Sequence, residues 1–373
     1  MSAIVGLFTD VLPLGGVQRA GRHVAAVTAK FAADHGMTVR FLSLNDPQGL
    51  HIVRVGPLEF AISGYAGSKF QFIRAALRAA GRNPELVLAL HPHLAPIVSA
   101  MKIRSPKFRS VVFTHGVEVW EPLGWPRIGA LRNADLVLGP SRDTVQRLID
   151  IQEIPCTRVR RLAWGLDPEF ESRIASASSP ALPHAFPKNA RSILTVGRWN
   201  SSEKYKGADT LISAWPRVLN TAPEASLILV GEGDDRPRLE QLACDLGVSE
   251  SVQFLAGLTP DELFACYAHC EIFALPSKGE GFGLVFLEAM AHGKPVIGGA
   301  HGGIPDIVED GVTGLLVQHG DVDGLARALE SLLRDPALEK KMGARGKDRV
   351  KGKFSFAEFE KQLTANLARV RTK

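Results

Sequence analysis

The chain alternates between short apolar runs and longer stretches with a helical apolar period, and it does so in two successive series. Short apolar runs bounded by turn residues predict strands, and apolar positions spaced three and four apart predict helices. In the first series the pattern predicts a helix over about residues 17–35 and strands over residues 3–8, 38–44, 86–90, 110–114 and 134–139. This alternation indicates a parallel sheet covered by helices.

The second series is more regular. It predicts strands over residues 192–196, 226–230, 252–255, 271–275 and 295–297, and helices over residues 208–220, 237–246, 260–268 and 284–292. The run Thr259-Pro-Asp-Glu262 forms a capping box with proline at the first helical position, which marks the start of one of these helices. The fold class is therefore α/β, with two Rossmann-like domains that each contain a parallel sheet.

A segment rich in Ser, Ala and Pro separates the two series. We expect an N-terminal domain over residues 1–170, a linker region over residues 171–190 and a C-terminal domain over residues 191–353. We expect the last helix, residues 354–373, to pack back on the N-terminal domain. Ligands of such sheets bind at the carboxyl ends of the strands, so this organisation predicts a site in a cleft between facing domains.

The composition is that of a soluble globular protein. Of the 373 residues, 45% are hydrophobic and 22% are charged, and no apolar run reaches membrane-spanning length. The N-terminus reads as a strand without an export signal, so a cytoplasmic location is expected. The cysteines are too few for a disulfide scaffold, and Cys266 and Cys270 are expected to pack in a helical core.

The net charge of +5 is unevenly distributed, because residues 1–180 carry 21 Lys and Arg against 14 Asp and Glu. The segment 69–82 is predicted to be a basic amphipathic helix with the apolar stripe Phe70, Phe72, Ile73 and Leu77 beside Lys69, Arg74 and Arg78. Two interpretations are open. The helix contacts an anionic partner, either a membrane surface on the inner face of the membrane or the acceptor, or its stripe packs on its own domain. No nucleic-acid partner is expected, because the basic residues are not interleaved with aromatic ones.

The loop that follows the strand at residues 271–275 is rich in glycine and carries two carboxylates. The N-terminus of the helix after it offers the amides of Phe282, Gly283 and Leu284 to a diphosphate. Glu280 and Glu288 would repel phosphate, so they suit the hydroxyls of a sugar and a ribose. The alternative is that they are an ordinary loop residue and an acid near a helix N-terminus.

The loop after the strand at residues 192–196 places Arg198 and Lys206 at a strand end. Two cations there would neutralise a departing diphosphate, the role that a metal ion would otherwise have. The alternative is that they are ordinary surface cations, which is the interpretation we prefer for Lys204. Gly231 follows the next strand within Gly-Glu-Gly, a weak indication of a nucleotide-facing turn.

These motifs together resemble the retaining family 4 glycosyltransferases of GT-B fold. The resemblance rests on Glu280 and Glu288 in their glycine-rich context, on Gly197-Arg198 and Lys206-Gly207, and on the run 302–311, which begins Gly-Gly-Ile-Pro. The first domain is a looser match through Gly15-Gly-Val-Gln-Arg19 and Thr114-His-Gly116.

The resemblance implies a role for each matching residue. Arg198 and Lys206 would hold the diphosphate, Glu288 the ribose and Glu280 the transferred sugar. His115 would act near the sugar and the acceptor, with Gln18 a less certain neighbour. The remaining donor contacts would come from Gly15, Gly16, Gly231, Phe282, Gly283 and Leu284. The spacing between Arg198 and Lys206 is longer than in many relatives, so Lys204 stays a possible substitute.

The resemblance further implies a retaining hexosyltransferase that needs no metal or other cofactor. Its partners would be a UDP-sugar or GDP-mannose as donor and a glycan, lipid-linked or small-molecule acceptor, in polysaccharide or glycoconjugate biosynthesis. Asp321-Val-Asp323 precedes a helix and is expected to cap it rather than bind metal. His91 and His93 have no identifiable third ligand. A sugar-nucleotide epimerase and a non-catalytic two-lobed binding protein are the alternative functions.

Overall fold

A computed structural model describes residues 2–176, 180–187 and 190–372. The chain divides into two units, of which the first comprises Met1–Glu169 and Ser355–Lys373 and the second comprises Phe170–Phe354. The first unit is therefore built from both ends of this chain, and the second from one continuous stretch.

The first unit contains one sheet and its covering helices. Its strands are β1 (Ala3–Phe8), β2 (Thr38–Ser43), β3 (Gly49–Val55), β4 (Leu58–Gly64), β5 (Leu86–Ala89), β6 (Arg109–Phe113), β7 (Leu136–Gly139) and β8 (Val159–Arg161). Its helices before residue 168 are α1 (Gly16–Asp34), α2 (Lys69–Ala80), α3 (Ala95–Arg104), α4 (Arg127–Arg132) and α5 (Arg142–Asp150). Helix α6 (Pro168–Ala175) crosses from the first unit into the second.

The sheet of the first unit has the strand order β3-β4-β2-β1-β5-β6-β7-β8. Every neighbouring pair is parallel except β3 and β4, which form a hairpin through a turn in which Gly56 has φ +54°. The central strands are apolar on both faces and buried on both, as expected for parallel strands between helices. The hairpin adds an antiparallel edge that the sequence pattern did not predict.

The second unit contains a six-stranded sheet that is parallel throughout, in the order β11-β10-β9-β12-β13-β14. The strands are β9 (Arg191–Val196), β10 (Ala225–Val230), β11 (Val252–Leu255), β12 (Ile272–Leu275), β13 (Val296–Gly299) and β14 (Gly314–Val317). The helices are α7 (Ala208–Thr221), α8 (Arg236–Asp245), α9 (Pro260–His269), α10 (Leu284–Ala291), α11 (Ile304–Ile307), α12 (Val322–Arg334) and α13 (Pro336–Lys353). The prediction of two parallel-sheet α/β domains is confirmed.

The last helix, α14 (Phe356–Arg371), belongs to the first unit and lies against α1. Its side chains Phe356 and Phe359 contact the buried ring of His23, with ring centroids 5.2 and 6.1 Å away. Lys30 and Glu360 form an ion pair between the same two helices. Apolar burial and charge pairing therefore both attach α14 to the first unit.

The segment predicted as a linker, residues 171–190, is helical at its start. Asp167 accepts a hydrogen bond from the Glu169 amide at 2.9 Å, and Pro168 occupies the first position of α6. Phe170 then packs on Phe264 of the second unit, with ring centroids 4.9 Å apart. Residues 177–179 and 188–189 of the predicted linker lie outside the described residues.

The apolar stripe predicted on the basic helix is divided between the core and the surface. Phe72 is fully buried and Leu77 packs against the core, but Phe70 is 75% exposed and Ile73 is also exposed. Of the two open interpretations, packing of the stripe on its own domain holds for Phe72 and Leu77 only, and small residues such as Ala76 complete the inward face of α2.

Among the described residues, no helix combines the length and apolar character that crossing a membrane requires. Asp321 caps α12 by accepting a hydrogen bond from the Gly324 amide at 2.8 Å, as predicted. Cys266 and Cys270 are buried in the core of the second unit, as predicted.

Candidate active site

In the second unit the site is built by the loops that leave β9 and β12. A short 3-10 helix, Ser201–Lys206, follows β9 and ends at Gly207, whose φ is +77°. A Cβ atom at Gly207 would lie 2.7 Å from the Pro276 carbonyl oxygen, so only glycine fits there. The Lys278 amide donates to the Tyr205 carbonyl at 2.7 Å, which fastens the two loops together.

Lys206 and Glu280 meet where these loops touch. The Lys206 ammonium donates to Glu280 Oε1 at 2.9 Å, and Lys206 is only 9% exposed. Burial by itself lowers the pKa of Lys206, but the Glu280 carboxylate outweighs it and the pKa is raised. Lys206 therefore stays charged, while Lys204 is exposed to solvent.

Arg198 lies nearer the surface of the same loop. Its side chain is 73% exposed and donates to Glu203 Oε1, whereas the Glu203 side chain is only 13% exposed. The second oxygen of Glu203 is buried without a hydrogen-bond partner in the described part of the chain. Arg198 and Lys206 thus each pair with one carboxylate, and the sequence analysis missed Glu203.

Tyr205 was also missed. The Lys206 ammonium lies 5.6 Å from the centroid of its ring. Burial raises the pKa of the Tyr205 hydroxyl, and the charges of Lys206 and Glu280 act on it in opposite directions. The signal available in the sequence was its place between Lys204 and Lys206.

The β12 loop delivers Glu280 to the start of α10. Gly283, the N-cap residue, has φ +106°, and Leu284 opens the helix, whose first amides have no carbonyl partner within it. The Phe282 ring is buried against Phe354 at 5.9 Å, so Phe282 can serve a ligand only through its backbone. Glu288 lies in the second turn of the helix and is 3% exposed.

A pair of glycines holds the Glu280 loop from behind. The Gly303 amide donates to the Glu280 carbonyl at 2.7 Å. A Cβ atom at Gly302, where φ is +63°, would lie 2.7 Å from that same carbonyl oxygen. A Cβ atom at Gly303 would lie 2.6 Å from the Gly281 carbonyl oxygen. The Gly-Gly-Ile-Pro run therefore positions Glu280 by close backbone contact.

Gly231 has a packing reason of its own. A Cβ atom there would lie 1.8 Å from the Gly197 carbonyl oxygen, and the φ of Gly231 is +136°. The Trp199 amide also donates to the Glu232 carbonyl at 2.8 Å. Gly231 thus fits the loop after β10 against the loop that carries Arg198, and its contact with a donor stays a prediction.

In the first unit, Gly15 and Gly16 lie exposed at the N-terminus of α1, where Gly15 has φ +157°. A Cβ atom at Gly15 would lie 2.2 Å from Gln18 Oε1. The Gln18 amide nitrogen donates to Asp10 Oδ1 at 2.9 Å, which fixes that side chain beside the glycines. An exposed helix N-terminus with two glycines has free amides for an anion.

His115 lies directly after β6 and is held in one orientation. Its Nε2 donates to the Leu90 carbonyl at 2.7 Å, which leaves Nδ1 as an acceptor. Its ring stacks on Trp164 at 5.5 Å and on His91 at 5.9 Å. Burial, then the charges of His115 and His93, lower the pKa of His91 to about 3.

The two histidines considered as metal ligands have other partners. The His91 side chain accepts a hydrogen bond from the His93 amide at 3.2 Å, and His93 Nε2 accepts from Arg127 at 2.8 Å. Nowhere in residues 2–176, 180–187 and 190–372 do three His, Cys, Asp or Glu side chains form a group suited to a metal ion.

Two family models match the chain, one for each half. The model described as Glycosyltransferase Family 4 matches residues 15–170, and the model described as Glycosyl transferases group 1 matches residues 183–349.

Named relatives and a solved structure agree with these matches. A Corynebacterium glutamicum protein, named GDP-mannose-dependent monoacylated alpha-(1-6)-phosphatidylinositol monomannoside mannosyltransferase, is 34% identical over 271 residues, 68% of each chain. The D-inositol 3-phosphate glycosyltransferase of Stackebrandtia nassauensis is 28% identical, over 92% of this chain and 85% of that protein. Sucrose-phosphate synthase from Thermosynechococcus elongatus shares the fold, with a TM-score of 0.75 at 23% identity over 98% of each chain.

Proposed function

Because the chain belongs to glycosyltransferase family 4 and is a glycosyltransferase of GT-B fold that uses a nucleotide sugar, we propose that it is a retaining hexosyltransferase that needs no metal. The observation that carries the proposal is the buried pair of Lys206 and Glu280 at the ends of two parallel strands. Such a pair offers a cation for phosphate and a carboxylate for hydroxyls at one point.

Lys206 and Arg198 are proposed to hold the diphosphate of the donor. The amides of Phe282, Gly283 and Leu284 at the start of α10 add neutral donors to it. Negative charge grows on the diphosphate as the sugar leaves, and two cations and a helix N-terminus stabilise that charge as a metal ion would. We propose metal independence because these groups would stabilise the charge that a metal ion would otherwise stabilise.

Glu280 and Glu288 are proposed to bind the sugar and the ribose, respectively. Glu280 is paired with an ammonium group, which lowers its reactivity as a nucleophile and suits it to accept hydrogen bonds from hydroxyls. We therefore propose that the departing phosphate takes the proton of the acceptor on the same face of the sugar, with retention of configuration.

The first unit is proposed to contribute Gly15, Gly16 and His115. The two glycines bring free amides at the start of α1, and Gln18 fixes the loop beside them. His115 Nδ1 is left to accept a hydrogen bond from a hydroxyl of the sugar or the acceptor.

GDP-mannose is the donor that we propose first, because the name of the C. glutamicum relative states it. Both named relatives act on molecules that contain an inositol phosphate group, by their names. We propose an acceptor of the same kind, either lipid-linked or a small molecule, in glycoconjugate biosynthesis.

A peripheral position on an anionic membrane surface is proposed for a lipid-linked acceptor. Phe70 and Ile73 are exposed on α2 beside the exposed cations Lys69, Arg74 and Arg78. Exposed apolar and basic side chains on one helix favour anionic lipid headgroups. Phe70→Ser with Ile73→Ser should reduce sedimentation with anionic vesicles severalfold, and unchanged sedimentation would contradict this proposal.

The proposed function is tested by incubating the protein with GDP-mannose, UDP-glucose and a UDP-N-acetylhexosamine, each with phosphoinositol acceptors and EDTA. We expect one donor to give a glycosylated product with the anomeric configuration of the donor, read by NMR. Inversion would disprove the retaining mechanism. Transfer that EDTA abolishes and only a divalent metal restores would disprove metal independence. An isomerised sugar nucleotide without acceptor would indicate an epimerase.

A further inference from the structure

The first unit carries a groove that none of the proposed transfer residues lines. It lies between the edge strand β8 and helix α14 and has a volume of about 460 Å³. Its lining includes Val159, Arg160, Arg161, Gln362, Asn366 and Arg369. We call it the arginine groove. Its volume is within the range of small-molecule sites.

Two of its arginines have no counter-charge among the residues that the structure describes. Arg160 and Arg369 form no ion pair or side-chain hydrogen bond with any residue in the described part of the chain. Other arginines of this unit are paired: Arg147 with Asp143 at 2.8 Å and Arg132 with Glu153 at 2.5 Å. Unpaired guanidinium groups around one concave surface attract an anion, and phosphate suits their forked geometry.

Helix α14, which carries Arg369, also offers hydrogen-bond acceptors to the arginine groove. The Gln362 amide nitrogen donates to Glu358 at 2.9 Å, and the Asn366 amide nitrogen donates to the Gln362 carbonyl at 2.9 Å. These two bonds fix the orientation of both amides, so Gln362 Oε1 and Asn366 Oδ1 are left to accept. Amide oxygens that line the same groove as the arginines suit hydroxyls that adjoin a phosphate.

We propose that the arginine groove binds a phosphorylated polyol or sugar, separately from the donor and acceptor of the transfer reaction. Arg160 and Arg369 hold the phosphate. Gln362 and Asn366 accept hydrogen bonds from the hydroxyls, and Val159 lies under the carbon frame. The ligand is either a free sugar phosphate or the headgroup of a phosphoinositide-type lipid, because both carry this chemistry.

The test is calorimetric titration of the full chain with mannose 6-phosphate, mannose and inorganic phosphate. Each titration is done with saturating GDP or UDP, whichever binds, so that the cations of the donor site are occupied. We expect one mole of mannose 6-phosphate to bind per chain, inorganic phosphate to bind more weakly and mannose not to bind. No binding of mannose 6-phosphate to the nucleotide-loaded protein overturns the proposal.

Variants assign the binding to the groove. The double variant Arg160→Gln with Arg369→Gln should bind mannose 6-phosphate at least tenfold more weakly than the unchanged protein. The control Arg327→Gln with Arg345→Gln makes the same change in charge at exposed positions. It should leave the affinity for mannose 6-phosphate unchanged. Asn366→Ala should weaken the binding of mannose 6-phosphate but not the binding of inorganic phosphate. Equal affinity in the groove variant and the control overturns the proposal, provided that thermal unfolding shows both folded.

The source of the ligand is decided by competition. If vesicles that contain phosphatidylinositol displace mannose 6-phosphate and vesicles of phosphatidylcholine do not, the ligand is a lipid headgroup. If neither displaces it, the ligand is a free sugar phosphate. Transfer activity separates this site from the proposed function, since the groove variants should keep the KM of donor and acceptor within twofold.

Discussion

Lys206 carries a positive charge on a side chain that is 9% exposed, and the Glu280 carboxylate lies against it at 2.9 Å. A buried ammonium is stable only when it is paired, so the loop after β9 and the loop after β12 each supply what the other needs. A bound diphosphate would enter next to an ammonium that is already oriented. Lys204, two residues earlier in the same loop, is exposed to solvent.

Lys206→Ala should reduce kcat/KM for transfer by well over tenfold, because it removes a cation from the leaving group and leaves Glu280 unpaired. Lys204→Ala is the matched control in the same loop. Its kcat/KM for transfer should stay within twofold of that of the unchanged protein. The measurement is initial-rate transfer with varied donor. A large loss of kcat/KM in Lys204→Ala together with a small loss in Lys206→Ala would show that Lys204, and not Lys206, binds the leaving group.

Residue chemistry was partly readable from the sequence. Arg198, Lys206 and Glu280 could be selected because a charged residue in a glycine-rich loop after a parallel strand lies where such sheets bind ligands. Glu203 could not be selected, because a glutamate between serine and lysine looks solvated. In the folded loop its side chain is only 13% exposed and pairs with Arg198, and the local sequence pattern does not show this burial.

At the scale of elements, the site depends on backbone contacts between loops that leave neighbouring strands. The loop after β13 touches the loop after β12 through Gly302 and Gly303, and the loop after β10 touches the loop after β9 through Gly231. Side chains at these points would push the loops apart. The positions of Glu280 and Arg198 are therefore set by the absence of side chains elsewhere.

Gly302→Ala tests this dependence. Its Cβ atom would meet the Glu280 carbonyl at 2.7 Å, whereas a Cβ atom at Gly311, where φ is +70°, meets nothing within 4 Å. Both substitutions place alanine at positive φ and should each cost about 1 kcal/mol of unfolding free energy from backbone strain alone. Transfer should fall more than tenfold in Gly302→Ala only, measured as kcat/KM beside urea unfolding. Equal activities would show that Glu280 does not depend on this contact.

Most strands were predicted within one or two residues, since buried parallel strands give short apolar runs with clear ends. The β3–β4 hairpin was missed, although Gly56-Pro57 signals a turn, because β3 is an edge strand whose Leu50 and Ile52 face solvent. Helix α6 was missed because it starts at Pro168, just before the predicted linker, and ends at Ala175 within it, where the composition shows no sustained helical period.

At the scale of the whole molecule, each unit contains histidines that the fold keeps neutral. Burial lowers the pKa of His23 and of His91, the latter to about 3, in the first unit. Burial, followed by the charges of Lys294 and Lys347, lowers the pKa of His292 to about 3 in the second. Below pH 6.5 these histidines bind protons in the unfolded chain but stay neutral in the folded protein. The free energy of unfolding therefore falls as the pH falls.

The free energy of unfolding should therefore drop between pH 7 and pH 5, by about 2 kcal/mol at most for each strongly shifted histidine. The Asp167 carboxyl does not contribute in this window. Burial opposes ionisation, but the hydrogen bond from His23 lowers its pKa to about 2, and its stabilisation is lost only below the ordinary aspartate range.

The pH dependence of stability can be tested in the second unit at His292, which packs among Phe170, Phe264 and Tyr267. His292→Phe should reduce the difference in unfolding free energy between pH 7 and pH 5, measured by urea denaturation at both values. His184→Phe, a control at an exposed histidine, should leave that difference unchanged. An identical pH dependence in both variants would show that His292 is not kept neutral by the fold.

The division of the first unit between both ends of the chain sets an order of assembly during translation. The ribosome releases the sheet of that unit early, but the helix that covers His23 and the adjoining face of α1 emerges only after the entire second unit has been made. Until then an apolar surface stays open on the nascent chain. The second unit can therefore finish folding first, while the first unit waits for the segment that begins at Ser355.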